Sequence, residues 1–250
     1  MTEMRIMTRW LKLALILLLL GPGIAQAQTG ADEWELTFTP FLWGSGMKGT
    51  VGFAGREGDF EASAKDLIKQ LDFAFMANFE ARKSRWFFGI DFDYTDLGKD
   101  VTVENENVAA RNPRLDLKMT IVEGHVGYQV VNSLDVYAGV RRVSATAGLA
   151  TDESALIEVD GGFTDPIVGL QFRRYLSEKF WVNLRSDVGG FGAGSDFSFF
   201  LTAAGGFRVS RLISLDFGYR LWDFDYESDD ELKRLDLTLA GFGGGLTFHF

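Results

Sequence analysis

The chain has 250 residues, with 25 basic and 35 acidic side chains, 29 Gly, 23 Phe, 4 Pro and no Cys. Its acidic balance excludes a nucleic-acid binder, since net negative charge is repelled by a phosphate backbone. Without Cys there can be no disulfide framework, thiolate metal cluster, thiol nucleophile or lipid-acceptor thiol.

At the N-terminus Arg5, Arg9 and Lys12 precede the apolar run 13–20, a Gly-Pro-Gly break and Ala25-Gln26-Ala27. A basic region, a short apolar core and an A-x-A site predict a secretory signal over 1–27, cleaved after Ala27. The run is shorter than the ~20 residues a membrane helix needs, and no later stretch is longer. The mature chain, 28–250, keeps 22 basic and 34 acidic residues, a net charge of −12. It is expected to form one domain.

From residue 34 onward apolar residues fall on alternate positions, the period of a strand with two unlike faces. The predicted strands are 34–43, 72–82, 86–97, 114–130, 134–147, 163–176, 180–192, 196–209, 212–226 and 232–250. Short polar turns at 83–85, 131–133, 177–179 and 210–211 alternate with longer loops at 44–71, 98–113, 148–162 and 227–231. Phe73, Phe75, Ala77, Phe79, Phe88, Ile90, Phe92 and Tyr94 share one face of their hairpin, while Asn78, Glu80, Arg82, Asp91 and Asp93 share the other. Alternating short turns and long loops, with one apolar and one polar face, predict an all-β fold. Specifically, they predict a closed antiparallel up-and-down transmembrane barrel. Ten strands are counted, or eight if two segments are loop hairpins. The even number places both chain ends on one side.

In the first long loop, Ser63 with Asp66 three residues later offers a helix N-cap, and Leu67, Ile68 and Leu71 follow as an apolar stripe. A small hairpin is expected before it, around Arg56-Glu57-Gly58. The loop is expected to be a lid packed on the barrel mouth, with a receptor, adhesin or gating surface as the alternative. Asp223, Asp225, Glu227, Asp229, Asp230 and Glu231 lack the spacing of a closed cation site and read as a solvated loop, with Ca²⁺ or Mg²⁺ shared with lipopolysaccharide phosphates as the alternative.

The chain ends on "GFGGGLTFHF", with Phe242, Leu246, Phe248 and Phe250 at alternate positions and Gly244 a gap among them. This ending resembles the last strand of bacterial outer-membrane barrels, which implies recognition of those four residues by the barrel-assembly machinery. The whole mature chain is similar to the small barrels grouped with the transmembrane domain of outer membrane protein A and with OmpW. It is also similar to uncharacterised outer-membrane proteins with segments like "TPFLWGSGMKGTVG", "DFGYRLWDFDY" and "LTLAGFGGGLTF". The resemblance implies residence in the bacterial outer membrane among lipid and lipopolysaccharide, as a monomer. There is no peptidoglycan-binding domain after the barrel, so an anchoring role is not carried over.

On the predicted inward face stand Glu80, Arg82, Asp91, Asp93, Glu123, His125, Arg141, Arg173, Arg185, Asp187, Asp216 and Arg220. Arg or Lys facing the bilayer midplane costs about 2–4 kcal/mol, so such groups belong in the lumen. The two signs nearly balance, which favours a self-paired, plugged interior over an ion-selective pore. No metal or cofactor is expected, and no catalytic residue. A ten-stranded barrel has a precedent in the omptin proteases, but His125 and His249 both fall away from the outer rim, and a lipid-A-modifying enzyme would have to be centred on His125. The expected function is therefore non-enzymatic: structural, or a narrow passive channel for small solutes. Surface binding through the outer loops is the alternative.

Overall fold

The computed structural model describes residues 33–53, 56–100, 114–151, 154–228 and 233–250. The predicted signal and most of the loop 98–113 lie outside the described residues. In chain order the elements are β1(Glu35–Phe53), β2(Arg56–Ala62), the helix α1(Ala64–Lys69), β3(Leu71–Lys83), β4(Trp86–Asp100), β5(Arg114–Val131), β6(Leu134–Thr151), β7(Ser154–Tyr175), β8(Phe180–Gly190), β9(Phe197–Arg208), β10(Ile213–Ser228) and β11(Lys233–His249). Each strand from β3 to β11 pairs antiparallel with the next, and β11 returns to β1. Ten strands thus close a barrel, and β2 stands outside the ring as a hairpin partner of β1. Closure pairs the strands around the ring, apart from residues 42–46 on the β3 side of β1, and a closed ring is the condition under which strands can cross a membrane.

The terminal Phe250 takes part in this closure. Its N–H donates to the Leu36 carbonyl at 3.0 Å, and its carbonyl accepts from Leu36 N–H at 3.4 Å. Phe242, Leu246 and Phe250 lie exposed on the outer surface, Phe248 half-buried among them. The gap at Gly244 is covered by Phe217, whose ring lies beside it and stacks on Phe242 at 5.8 Å. Around the outside, Phe73, Phe75, Phe79, Phe88, Ile90, Val122, Val140, Leu170 and Leu215 are exposed. An apolar band that encircles the molecule is suited to hydrocarbon, since soluble proteins rarely expose apolar patches beyond a few hundred Å².

Several predicted loops turn out to be strand. β1 runs ten residues past the predicted end at Trp43, and β6 and β7 continue into 148–162, because a barrel wall can extend beyond the bilayer wherever neighbouring strands supply hydrogen bonds. The small hairpin expected to turn around Arg56-Glu57-Gly58 instead pairs Phe53 with Arg56. Its register puts Gly58 in β2, opposite Val51.

The β1–β3 seam is where the wall is least regular. β3 pairs with β1 only from Glu35↔Arg82 to Phe41↔Met76, and above this β1 pairs with β2 instead, from Met47 onward. A register shift between Leu71 and Phe73 interrupts the top of β3, a feature that bends strands. α1 occupies the split, with Ser63 as its N-cap accepting from Asp66 N–H at 3.3 Å.

Inward-facing glycines make room for rings from the next strand. A Cβ on Gly127 would stand 2.1 Å from the Phe87 ring, and one on Gly169 2.4 Å from Tyr137, whereas one on outward Gly124 meets nothing within 4 Å. Gly127→Ala should therefore lower unfolding stability by about 1–3 kcal/mol through overpacking, and Gly124→Ala should change it by less than ~0.5 kcal/mol. Urea unfolding in lipid vesicles separates the two.

Candidate functional site: the barrel lumen

The inward positions divide into two tiers. Toward the short turns, where both ends of the described barrel lie, the lumen is charged. Toward the long loops it is apolar, built from Trp43, Met47, Met76, Met119, Ile121, Val143, Phe163, Phe200, Trp222, Phe224, Leu237 and Leu239. The polar inner face read at Asn78, Glu80, Arg82, Asp91 and Asp93 gives way toward the long loops: β3 carries Glu80 and Arg82 inward near its turn but Met76 higher up, and β4 changes likewise from Asp91 and Asp93 to Leu97.

In the charged tier, most ion pairs join strands that are not neighbours, Arg141–Glu123 across the β5–β6 pairing being an exception. At the turn end Arg82 Nη2 lies 2.7 Å from Asp135 Oδ2, linking β3 to β6. Arg173 grips Glu80 with two nitrogens, at 3.1 and 3.2 Å, linking β7 to β3. In the middle, Arg141 meets Glu123 at 2.7 Å and Asp187 at 2.8 Å. Arg185 reaches Asp91 at 2.8 Å and also pairs with Glu123. Its Nε donates to Tyr137 Oη at 2.9 Å, and Tyr137 in turn donates to Asp187 at 2.8 Å. Arg220 faces Asp93 at 3.3 Å, joining β10 to β4.

Aromatic rings cover the guanidinium faces that carboxylates leave bare. Arg141 lies 4.8 Å from the Trp222 ring centre and 5.2 Å from Phe200, and Arg220 lies 4.9 Å from Phe41 and 5.1 Å from Trp43. Such stacking is strongest where water is excluded, and the Arg141 side chain is only 1% exposed. These rings form the boundary between the two tiers.

Eleven of the twelve residues predicted for the lumen make these contacts or border them. His125 Nδ1 sits 2.9 Å from Glu123 Oε1 and 3.5 Å from Arg185 Nη2. Asp216 stands apart, bonded to Thr247, which also bonds Thr39 at 2.7 Å. Asp135 and Tyr137 share the strand parity of Arg141 and could have been found by that signal, yet were not singled out. Asp165 is another, fully buried and holding the β8–β9 turn by accepting from Ser195 N–H at 2.7 Å and Oγ at 2.6 Å. Above that turn Phe163 stacks on Tyr226 at 5.1 Å, bridging β7 and β10.

Asp91, Glu123 and His125 converge closely enough to hold a cation, with ligand atoms within 4.8 Å of one another. A cation is already there: the Arg185 guanidinium contacts all three. Chemically the arrangement is a closed set of pairs, with each carboxylate of the central group meeting at least one guanidinium.

No protein-family model and no curated protein sequence matches the chain. Among solved structures, the outer membrane protease OmpT of Escherichia coli superposes with a TM-score of 0.54 at 12% identity, over 90% of this chain and 99% of that one. The translocator domain of the autotransporter NalP from Neisseria meningitidis gives 0.45 at 11%, over 89% and 90%. Ail, the attachment invasion locus protein of Yersinia pestis, gives 0.42 at 12%, over 87% and 99%. The fold is that of the bacterial outer-membrane β-barrels, here with ten strands and a paired-charge lumen. At such identities the likeness concerns the fold alone.

Removing one partner of a buried pair leaves an uncompensated charge, at a cost of about 3–5 kcal/mol. Arg141→Met, which strands Asp187, should lose that much stability in urea unfolding. Arg82→Met, nearer the turn end and 15% exposed, should lose clearly less.

Proposed function

We propose that the protein is a non-enzymatic, monomeric resident of the bacterial outer membrane whose lumen is closed at mid-height and does not conduct. The observation that carries this reading is the Arg141–Glu123–Arg185–Asp91 group with Asp187 and Tyr137, which ties β4, β5, β6 and β8 together through the space a pore would need. Passive passage of small solutes, the other half of the sequence-based expectation, is disfavoured because the charges neutralise one another instead of lining a path. Its neighbours in this setting are membrane lipid and lipopolysaccharide, and the Phe250 strand is the segment offered to the assembly machinery.

The non-enzymatic part of the proposal is supported by the two histidines. A general base must reach the proton it removes, but His125 is sealed between Glu123, Arg185 and the Phe87 and Tyr137 rings. His249 is bonded to Ser214 at 2.8 Å, at the turn end. OmpT is a protease; no His of this chain stands at the loop end, where the sequence argument expects such chemistry.

In planar bilayers the purified protein, its folding checked by heat-modifiable gel mobility, should be silent, and removal of the central pairs by Arg141→Ala with Arg185→Ala should produce conductance steps if the barrel survives. Steady steps from the wild type would overturn the closed lumen.

A further inference from the structure

The apolar tier encloses a cavity of about 70 Å³, lined by Trp43, Met47, Leu67, Met76, Met119 and Leu239 among others. We infer that this chamber is a binding site for a neutral alkyl chain, entered from the membrane side through the split between β1 and β3, with α1 as its door. The inference is independent of whether the lumen conducts.

Three observations carry it. The first is the wall itself. Between Phe41↔Met76 and Met47↔Ala62 the strand β1 has no partner on the β3 side, so the barrel is laterally unsealed over Leu42–Gly46 by backbone pairing. The second is what fills the split. α1 is six residues long with no buried residue of its own; Leu67 packs on the apolar cluster, while Ile68 lines the cavity and remains 59% exposed. Leu42 at 64% and Phe73 at 57% flank it on the outer surface, so the door opens onto the lipid-facing band. A helix this short is not stable by itself, and it is held here by its Ser63 cap and one packed Leu.

The third observation is the chamber's chemistry. The cavity is about half the ~150 Å³ of an engineered apolar cavity that admits benzene, so it suits the narrow end segment of an alkyl chain whose remainder lies in the split, and not a whole ring. Met47, Met76 and Met119 are unbranched and adaptable. Asp93 and Thr95 are among its few polar lining residues. Asp93 can accept a hydrogen bond from a hydroxyl at the chain end, and because Arg220 is already paired with it, the chamber offers, among the described residues, no free cation to hold a carboxylate. The preferred occupant is therefore a chain with a neutral end, either a free alkyl alcohol or the tail of a membrane lipid.

The test uses the full mature protein in phosphatidylcholine vesicles and reads tryptophan quenching by bromine. 8-Bromooctan-1-ol should quench a saturable component of the emission that is missing in Trp43→Phe and reduced at least tenfold in apparent affinity in Ala74→Phe, which fills the chamber from β3. Met119→Ala, which enlarges it, should bind more tightly, and serves should Ala74→Phe fail the gel-mobility check for folding. Octan-1-ol should displace the probe at least ten times more effectively than octanoate. Phosphatidylcholine brominated on its acyl chains separates the two sources: quenching of Trp43 by it assigns a lipid tail, and quenching by the alcohol alone assigns a free small molecule. If quenching is unsaturable and identical in Trp43→Phe, or if the chamber variants change nothing, the site does not exist.

Discussion

The whole arrangement depends on one constraint: several guanidinium groups are buried inside a ring of strands, and each must be neutralised without water. A strand wall supplies backbone bonds only to its two neighbours. The pairs Arg185–Asp91, Arg173–Glu80 and Arg220–Asp93 reach strands four places away around the barrel. They act as cross-braces, and they set the distance between opposite walls in a way that hydrogen bonds along the sheet cannot. The rings of Phe200, Trp222, Phe41 and Trp43 then close over the guanidinium faces, so charge is exchanged for apolar contact within a single layer of side chains.

That layer gives the lumen a floor. Below it most charged side chains are paired with one another, although Arg141 Nη1 and Asp216 Oδ1 have no hydrogen-bond partner among the described residues; above it lies apolar volume with methionine walls, a short helix and an incompletely paired seam. The barrel thus combines a cross-paired charged tier with an apolar recess above it. The register shift at Leu71/Phe73 lies in the pairing of β3 with β4, on the same strand that parts from β1 above Met76.

Much of the fold was legible in the sequence because a barrel imposes period two on every strand. Charged residues falling on one parity, as at Glu80 and Arg82 or Asp91 and Asp93, identify the inward face wherever the outer one must be apolar. What parity conceals is an inward face that is also apolar. Met76 and Leu97 share the parity of Glu80 and Asp91, and nothing in their spacing announces that the lumen changes character between them. Strand ends were misjudged for a related reason. Residues 44–53 and 148–162 are rich in Gly and polar side chains, which signal loops, yet a strand at the end of a barrel wall needs no continuous apolar face, only a neighbour to pair with. Tyr137 and Asp135 were readable by parity, but each is flanked by apolar residues and lies outside the clusters of charge that mark the inward face elsewhere. Which carboxylate meets which guanidinium depends on barrel size and stagger, which no single strand encodes.

The most direct measurement of the central claim is a double-mutant cycle on Arg185 and Glu123, residues on β8 and β5, with each replaced by Met alone and together and the stability read from reversible urea unfolding in lipid vesicles. If the cross-lumen pair braces the barrel, the double variant should recover stability relative to the sum of the singles, with a coupling of at least about 1.5 kcal/mol, the scale of close buried pairs. Additivity within about 0.5 kcal/mol, the behaviour of independent sites, would mean that the two charges do not meet and that the lumen is not held as described.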